Sequence, residues 1–230
     1  IFAYTSTPLT LLAESMFSSM NSFLLVAVPL FILVGQLMER GHVADRIFDF
    51  AQSTVGWLPG GMGHVNVVSS VIFGGISGSS VADIASLGAV EIKAMERHGF
   101  DKGYAAGMTL ATSTLSSIIP PSILMVIGGS IANQSIGLLL IAGLVPGLFI
   151  AFSLMVYNHI YSVRMGVAKP TPFSMREVLR TGFRAILPML TPVILMVGIL
   201  DGYFTPTEAA AIAVLYTFAI AFFALRTLKL

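Results

Sequence analysis

Residues 103–163 run for 61 positions without one Asp, Glu, Lys or Arg, and residues 50–82 add 33 more. A surface helix of a soluble protein carries charge along one face. A bilayer crossing needs only roughly 20 apolar residues to cover about 30 Å of hydrocarbon. The composition agrees, with 56% hydrophobic and 10% charged residues, where soluble domains carry about 25% charged. Too few charges remain to cover a soluble surface, which excludes a cytosolic enzyme and a disordered chain. A net charge of +1 leaves no basic face for nucleic acid. With no cysteine, disulfide frameworks, thiolate zinc sites and thiol chemistry are also excluded. The chain reads as an all-α integral membrane protein, a polytopic helical bundle in a lipid bilayer.

The chain opens on Ile1 with neither a basic n-region nor a cleavage site, and it stops at Lys229-Leu230 after an apolar run. We therefore expect a piece of a longer polypeptide. Residues 1–60 read as an N-terminal span with an interfacial arm. An amphipathic lead-in covers 8–22, and a span covers about 16–39, ending in Glu39-Arg40. Over 43–57, Val43, Ile47, Phe48 and Phe50 alternate with Asp45, Arg46 and Asp49, which suits a helix lying in the interface. Trp57 then stands at headgroup depth.

Residues 61–135 hold two interruptions. The apolar stretch 64–76 makes only about 20 Å of helix at 1.5 Å per residue. The small-residue tip Ser77-Gly78-Ser79-Ser80 follows, and 81–97 climb back into charge. This describes a re-entrant helical hairpin over 62–97, tolerated at membrane depth only where protein or a cavity covers it. Pro120 and Pro121 then interrupt a charge-free run, and neither proline donates an amide hydrogen. The expected result is a discontinuous helix over 104–133. An ordinary span over 136–163 carries Pro146, where a kink is expected.

Residues 164–184 hold Arg164, Lys169, Arg176, Arg180 and Arg184 against Glu177, and are read as a basic cytoplasmic loop. Two further spans, 185–202 and 207–225, return Arg226 and Lys229 to that side. Counting backwards places Lys93, Arg97 and Lys102 there too, and a hairpin that does not cross keeps Arg40 and Arg46 with them.

An unwound Ser/Gly tip frees backbone carbonyls and supplies hydroxyls, which suits an ion or substrate site. Close helix packing through small residues is the alternative. Thr112, Ser113, Thr114, Ser116 and Ser117 precede the proline pair, where carbonyls of 116–119 lose their donors and suit a monovalent cation. The helices starting near Ser80 and Ser122 aim positive dipole ends into the membrane. Two interruptions in one chain follow the transporter pattern, and together they point to cation-coupled carriage of an acidic solute; a kink that only shapes the bundle is the alternative. Asp83, an intramembrane carboxylate, could bind a cation, relay a proton or cap the second hairpin helix. Glu91, two turns on, is expected to be solvated. Thr205-Pro206-Thr207-Glu208 reads as a capping box, with Asp201 at the membrane edge. His42, His64, His98 and His159 are dispersed, and no metalloprotease, triad or Walker spacing occurs, so no residue is read as catalytic.

Residues 73–129 (FGGISGSSVADIASLGAVEIKAMERHGFDKGYAAGMTLATSTLSSIIPPSILMVIGG), 29–74 (PLFILVGQLMERGHVADRIFDFAQSTVGWLPGGMGHVNVVSSVIFG) and 202–218 (GYFTPTEAAAIAVLYTF) carry a resemblance. They resemble the large membrane subunit, of DctM/SiaM type, of tripartite ATP-independent periplasmic (TRAP) transporters. The match runs over nearly the whole chain in the family's order, and the pairing of SGSS with PPS is its specific part.

The resemblance implies an elevator-type carrier with two inverted repeats, driven by a sodium gradient, with Na+ as coupling ion and no other cofactor. Residues 61–135 would then be transport-domain elements of the first repeat, and 185–230 would begin the second. It also implies a small membrane subunit of DctQ/SiaQ type and a periplasmic substrate-binding protein that delivers a carboxylate such as a C4-dicarboxylate or sialic acid. The bacterial inner membrane is the expected location. Carried over by motif, Ser77, Gly78, Ser80, Ser116, Ile119 and Pro120 would bind sodium. Ser79, Asp83, Thr114 and Pro121 would face the substrate. Family members are nearly twice this long, and no second proline pair follows here. Ser116 stands where family members often carry glycine. A stand-alone sodium:anion symporter and a non-transporting membrane scaffold are the competing readings.

Overall fold

A computed structural model describes residues 10, 14, 17, 26–41, 43–167 and 172–224. The lead-in expected over 8–22 and the first half of the span over 16–39 lie largely outside the described residues. What is described is helical throughout. Helix α1 covers Ala27–Arg40, α2 Val43–Val55 and α3 Gly61–Ser77. After the break at Gly78-Ser79, α4 (Ser80–Asp83) passes through a π-helical turn, Ile84–Gly88, into α5 (Ala89–Arg97). Helix α6 (Lys102–Ser113) tightens into a 3-10 turn, Thr114–Ser117, and the chain resumes as α7 (Ile123–Ile131). Then follow α8 (Ile136–Met165), α9 (Met175–Leu200) and α10 (Pro206–Ala219), which continues as a π-helical turn, Ile220–Ala224.

Helix α3 is the centre of the molecule. Its residues are buried almost without exception, and it touches α1, α2, α6, α8, α9 and the 3-10 turn. Glycine makes this crowding possible. A Cβ at Gly63 would fall 1.9 Å from Asn158 Oδ1 on α8, and one at Gly74 would fall 2.5 Å from Ser116 Cα. At 17 residues, α3 is roughly 25 Å long. Among the described residues, three helices are long and apolar enough to cross a membrane: Ile136–Met165, Met175–Leu200 and Pro206–Phe223. Helix α8 shows Leu138, Val145, Phe149 and Phe152 on its outside, all more than 60% exposed. Only an apolar solvent makes such a face stable.

Two expectations change. Helix α2 buries Val43, Ala44, Ile47, Phe48 and Ala51 against α3 and α9, so its apolar face is covered by protein rather than lying open in the interface. The stretch 164–184 is helical from Met175 onward, with Ser174 extended before it and Glu177 in the first turn. An acid near a helix N-terminus favours the positive dipole end. Arg176, Arg180 and Arg184 therefore ride on α9 rather than in a loop. The capping box at the start of α10 is present as read: Thr205 Oγ1 accepts from Glu208 N at 3.3 Å, and Thr205 N donates to Glu208 Oε2 at 2.8 Å.

Candidate functional site

The two interruptions lie against each other. Gly78 closes α3 in the left-handed region at φ +61°, its amide donating to Gly74 O at 2.9 Å. Only glycine suits the position, because a Cβ there would also come within 2.5 Å of Pro121 O. Ser79 is extended, and its hydroxyl caps α4 by accepting from Ala82 N at 3.4 Å. Facing it, the chain leaves the helix after Ser117 because Pro120 and Pro121 have no amide to give. Ser122 starts α7 by accepting from Met125 N at 3.3 Å, while its hydroxyl donates to Ser117 O at 2.6 Å. The Pro120-Pro121 peptide is cis.

Three contacts join the breaks. Ile123 N donates to Gly78 O at 3.2 Å, Ser80 N donates to Ser117 Oγ at 3.3 Å, and the Ser80 and Ser117 hydroxyls are 2.6 Å apart. Helices α4 and α7 thus begin side by side. Among the described residues, no backbone amide donates to the carbonyls of Ile119 or Pro120, and both residues are buried. Carbonyl oxygens without an amide donor, and hydroxyls, are hard ligands suited to an alkali cation.

One turn deeper, Ser116 Oγ donates to Asp83 Oδ2 at 2.8 Å and lies 3.2 Å from Ser70 O. Asp83 is 2% exposed, and its other oxygen and the Ser70 hydroxyl have no hydrogen-bond partner among the described residues. The polar seam continues along α3. Glu91 Oε1 is 2.6 Å from Ser69 Oγ. Asn66 donates to Thr109 Oγ1 at 2.7 Å and accepts from the Thr112 hydroxyl.

Of the expected sodium ligands, Ser77, Gly78, Ser80, Ser116, Ile119 and Pro120 all lie at the paired breaks. Gly78 O is engaged by Ile123, and the Ser80 hydroxyl by Ser117. Ser77 is fully buried, with its Oγ 3.5 Å from Ser79 N. Of the expected substrate residues, Ser79, Asp83 and Pro121 are here as well. Thr114 is turned outward, its hydroxyl donating to Ala111 O at 2.7 Å. Ser79 supplies the N-cap hydroxyl of α4, and Asp83 stands in its first turn, where an acid favours the positive dipole end. Glu91 is not solvated: it is 2% exposed, enclosed where α5 meets α3 and α6. Ser117, read only as a flanking position, makes two of the joining contacts, and Ser122 ties the start of α7 back to Ser117 O. Ser122 had a sequence signal, an N-cap residue directly before an apolar run. Ser70 had none beyond its helical spacing from Ser77.

The whole chain, residues 1–230, matches the family described as tripartite ATP-independent periplasmic transporter, DctM component. The sialic acid TRAP transporter large permease protein SiaM of Vibrio cholerae is 40% identical over 98% of this chain and 53% of its own length. The sialic acid TRAP transporter permease protein SiaT of Haemophilus influenzae is 43% identical over 94% of this chain and 35% of its own. The C4-dicarboxylate TRAP transporter large permease protein DctM of Pseudomonas aeruginosa is 38% identical over 95% of this chain and 51% of its own. The chain thus spans about half the length, or less, of these relatives, which are transporter permeases and not enzymes. With its membrane-length helices, a match from end to end and three such relatives, the chain is a multi-pass membrane protein belonging to the DctM family of TRAP transporter components.

Proposed function

We propose that this chain supplies the first repeat of the membrane permease of a sodium-driven secondary transporter, which imports an organic acid delivered by a periplasmic binding protein. The observation that carries the reading is the pairing of two helix breaks, joined through Ile123 N and Gly78 O. The Ile119 and Pro120 carbonyls, with Ser77, Gly78, Ser80 and Ser116, form the sodium site. Ser79, Asp83 and Pro121 border the substrate, and the starts of α4 and α7 favour an anion nearby. In this reading α3 to α5 is a re-entrant hairpin of a moving transport domain that works as an elevator. Residues 61–135 belong to that domain, and α9 and α10 open the second repeat. A small membrane subunit braces it in the bacterial inner membrane. Sialic acid or a C4-dicarboxylate is the expected cargo, because the relatives named for those solutes share this stretch of chain.

The test is uptake into proteoliposomes holding the intact permease, its small subunit and its binding protein. Sialic acid and succinate are offered with sodium or with choline outside. Uptake that needs sodium and the binding protein supports the reading. Ser77→Leu and Ser80→Leu are expected to remove the sodium dependence while membrane insertion stays normal. Unchanged sodium affinity in both variants sinks the site assignment, and uptake without the binding protein points to a stand-alone symporter.

A further inference from the structure

Helix α5 ends beside a basic cavity that the ion and substrate sites do not use. The cavity measures about 370 Å³ and lies between α5, α2 and the start of α3. Val90, Lys93 and Arg97 line it from α5, at the i, i+3 and i+7 spacing of one helix face. His98 follows directly after them, and Phe48 of α2 and Met62 of α3 face them.

The charge here is of one sign. Among the described residues no Asp or Glu lines the cavity, and neither Lys93 nor Arg97 forms an ion pair. The acids nearby are engaged elsewhere. Glu91 is buried against Ser69 on another face of α5. Asp101 caps α6, accepting from Gly103 N at 2.8 Å and Tyr104 N at 3.1 Å. Asp45 and Asp49 of α2 line a separate cavity with Arg184. Glu96 is exposed and stands outside the lining. Two like charges one turn apart on a helix repel, so a negative group between Lys93 and Arg97 removes a cost. The last carbonyls of α5 accept from the amides of His98, Gly99 and Phe100. His98 Nδ1 donates to Ala94 O at 2.8 Å, which leaves Nε2 available at the cavity. The helix dipole accounts for a cation in the last turn of α5, but not for a cavity beside it.

The rest of the lining is apolar. Phe48 and Met62 are buried and form the floor, while Val90 at the rim is 41% exposed. The charged turn over 96–102 stands directly before the charge-free run 103–163. The cavity therefore lies at the edge of the apolar slab, at the depth of lipid headgroups. A free phosphate would need only the cations. Cations above an apolar floor, at this depth, suit an anion that carries a hydrocarbon tail.

We propose that this cavity binds the headgroup of an anionic phospholipid, with Lys93 and Arg97 holding the phosphate and the start of an acyl chain lying on Val90, Phe48 and Met62. Guanidinium and ammonium are the side chains that pair with phosphate oxygens. The bound lipid bridges α2 and α5. The site is separate from the paired breaks, so it stands whether or not the carrier reading does.

Native mass spectrometry of the intact permease, titrated in detergent with phosphatidylglycerol or phosphatidylcholine, tests the proposal. Tighter retention of phosphatidylglycerol is expected. Lys93→Gln combined with Arg97→Gln is expected to weaken it roughly thirtyfold, the effect of removing two cations that face an anionic headgroup. Both side chains are exposed, so the double variant keeps its fold. Lys102→Gln removes an exposed cation of α6 outside the cavity and is expected to leave retention unchanged. Equal retention of the two lipids, or equal affinity for phosphatidylglycerol in the double variant and the unaltered protein, overturns the proposal. A loss in Lys102→Gln as large as in the double variant does so too, because it shows diffuse attraction rather than a site. Competition with glycerol 3-phosphate separates the lipid from a free phosphate ester. An excess is expected to leave the lipid bound, and displacement at concentrations equal to the lipid's identifies a soluble anion as the occupant and overturns the lipid site.

Discussion

Gly74 packs tightly on the broken helix, and the atom in the way of a side chain there is backbone, Ser116 Cα. Backbone cannot rotate aside as a side chain can. Gly74→Ala is therefore expected to cost about 1–3 kcal/mol, the range for overpacking a close-packed interior. Gly107 lies on the outer face of α6, where an added Cβ would meet nothing within 4 Å. There the alanine variant is expected to gain roughly 0.5–1 kcal/mol, since glycine only weakens a helix interior. Denaturant unfolding of the two variants in the same detergent checks both signs. Equal midpoints would mean that α3 and the broken helix are not in contact at Gly74. Ser117→Ala removes the partner of both Ser80 N and Ser80 Oγ. It is expected to lose about 1 kcal/mol and to weaken sodium dependence, read in the same unfolding and uptake assays.

At the scale of elements, the proline pair decides that one helix becomes two. With Pro120→Ala and Pro121→Ala combined, amides reappear where the chain now turns, and α6 can run on toward α7. The freed carbonyls of Ile119 and Pro120 would then be occupied, and the bond from Ile123 N to Gly78 O would be lost. Hydrogen exchange over residues 118–122 is expected to slow, and sodium-dependent uptake to disappear. Unaltered exchange in this segment would show that the tertiary packing, not the prolines, holds the break open. The start of α10 is simpler. Thr205→Ala removes the cap acceptor for Glu208 N and is expected to cost about 1 kcal/mol, measured as a lower unfolding midpoint.

For the whole molecule, the arrangement of charge fixes which way the helices cross. Helix α9 carries Arg176, Arg180 and Arg184 at one end and Asp201 just beyond the other. In the proposed topology the excess of arginine lies at the cytoplasmic end. These 230 residues contain no cysteine, so single cysteines placed here, in an intact permease cleared of any other cysteine, can be labelled without background. Arg176→Cys is expected to react with an impermeant thiol reagent only from the cytoplasmic side, and Asp201→Cys only from the outer side. Under the proposed re-entrant hairpin, Lys93→Cys should share the side of Arg176→Cys. Labelling of Lys93→Cys from the outer side would make α3 a full crossing and remove the re-entrant reading.

The sequence alone determined whatever depends on neighbours along the chain. Long charge-free runs specify a membrane protein because no arrangement of those residues makes a water-stable surface. The breaks at Gly78 and Pro120-Pro121 and the Thr205 to Glu208 cap were readable because left-handed backbone, missing amides and capping hydroxyls act over three or four residues. The start of α9 at Met175 was less so, since a basic stretch reads equally well as loop or helix. Contacts between residues far apart in the chain were not readable in this way. Ser116 meets Asp83 across 33 positions, and Asn66 meets Thr109 and Thr112 across more than 40. Glu91, whose surroundings in sequence suggest water, is enclosed because α5 lies between α3 and α6. Burial of a side chain is set by what packs over it, and that follows from how whole helices fit together, not from its own neighbours.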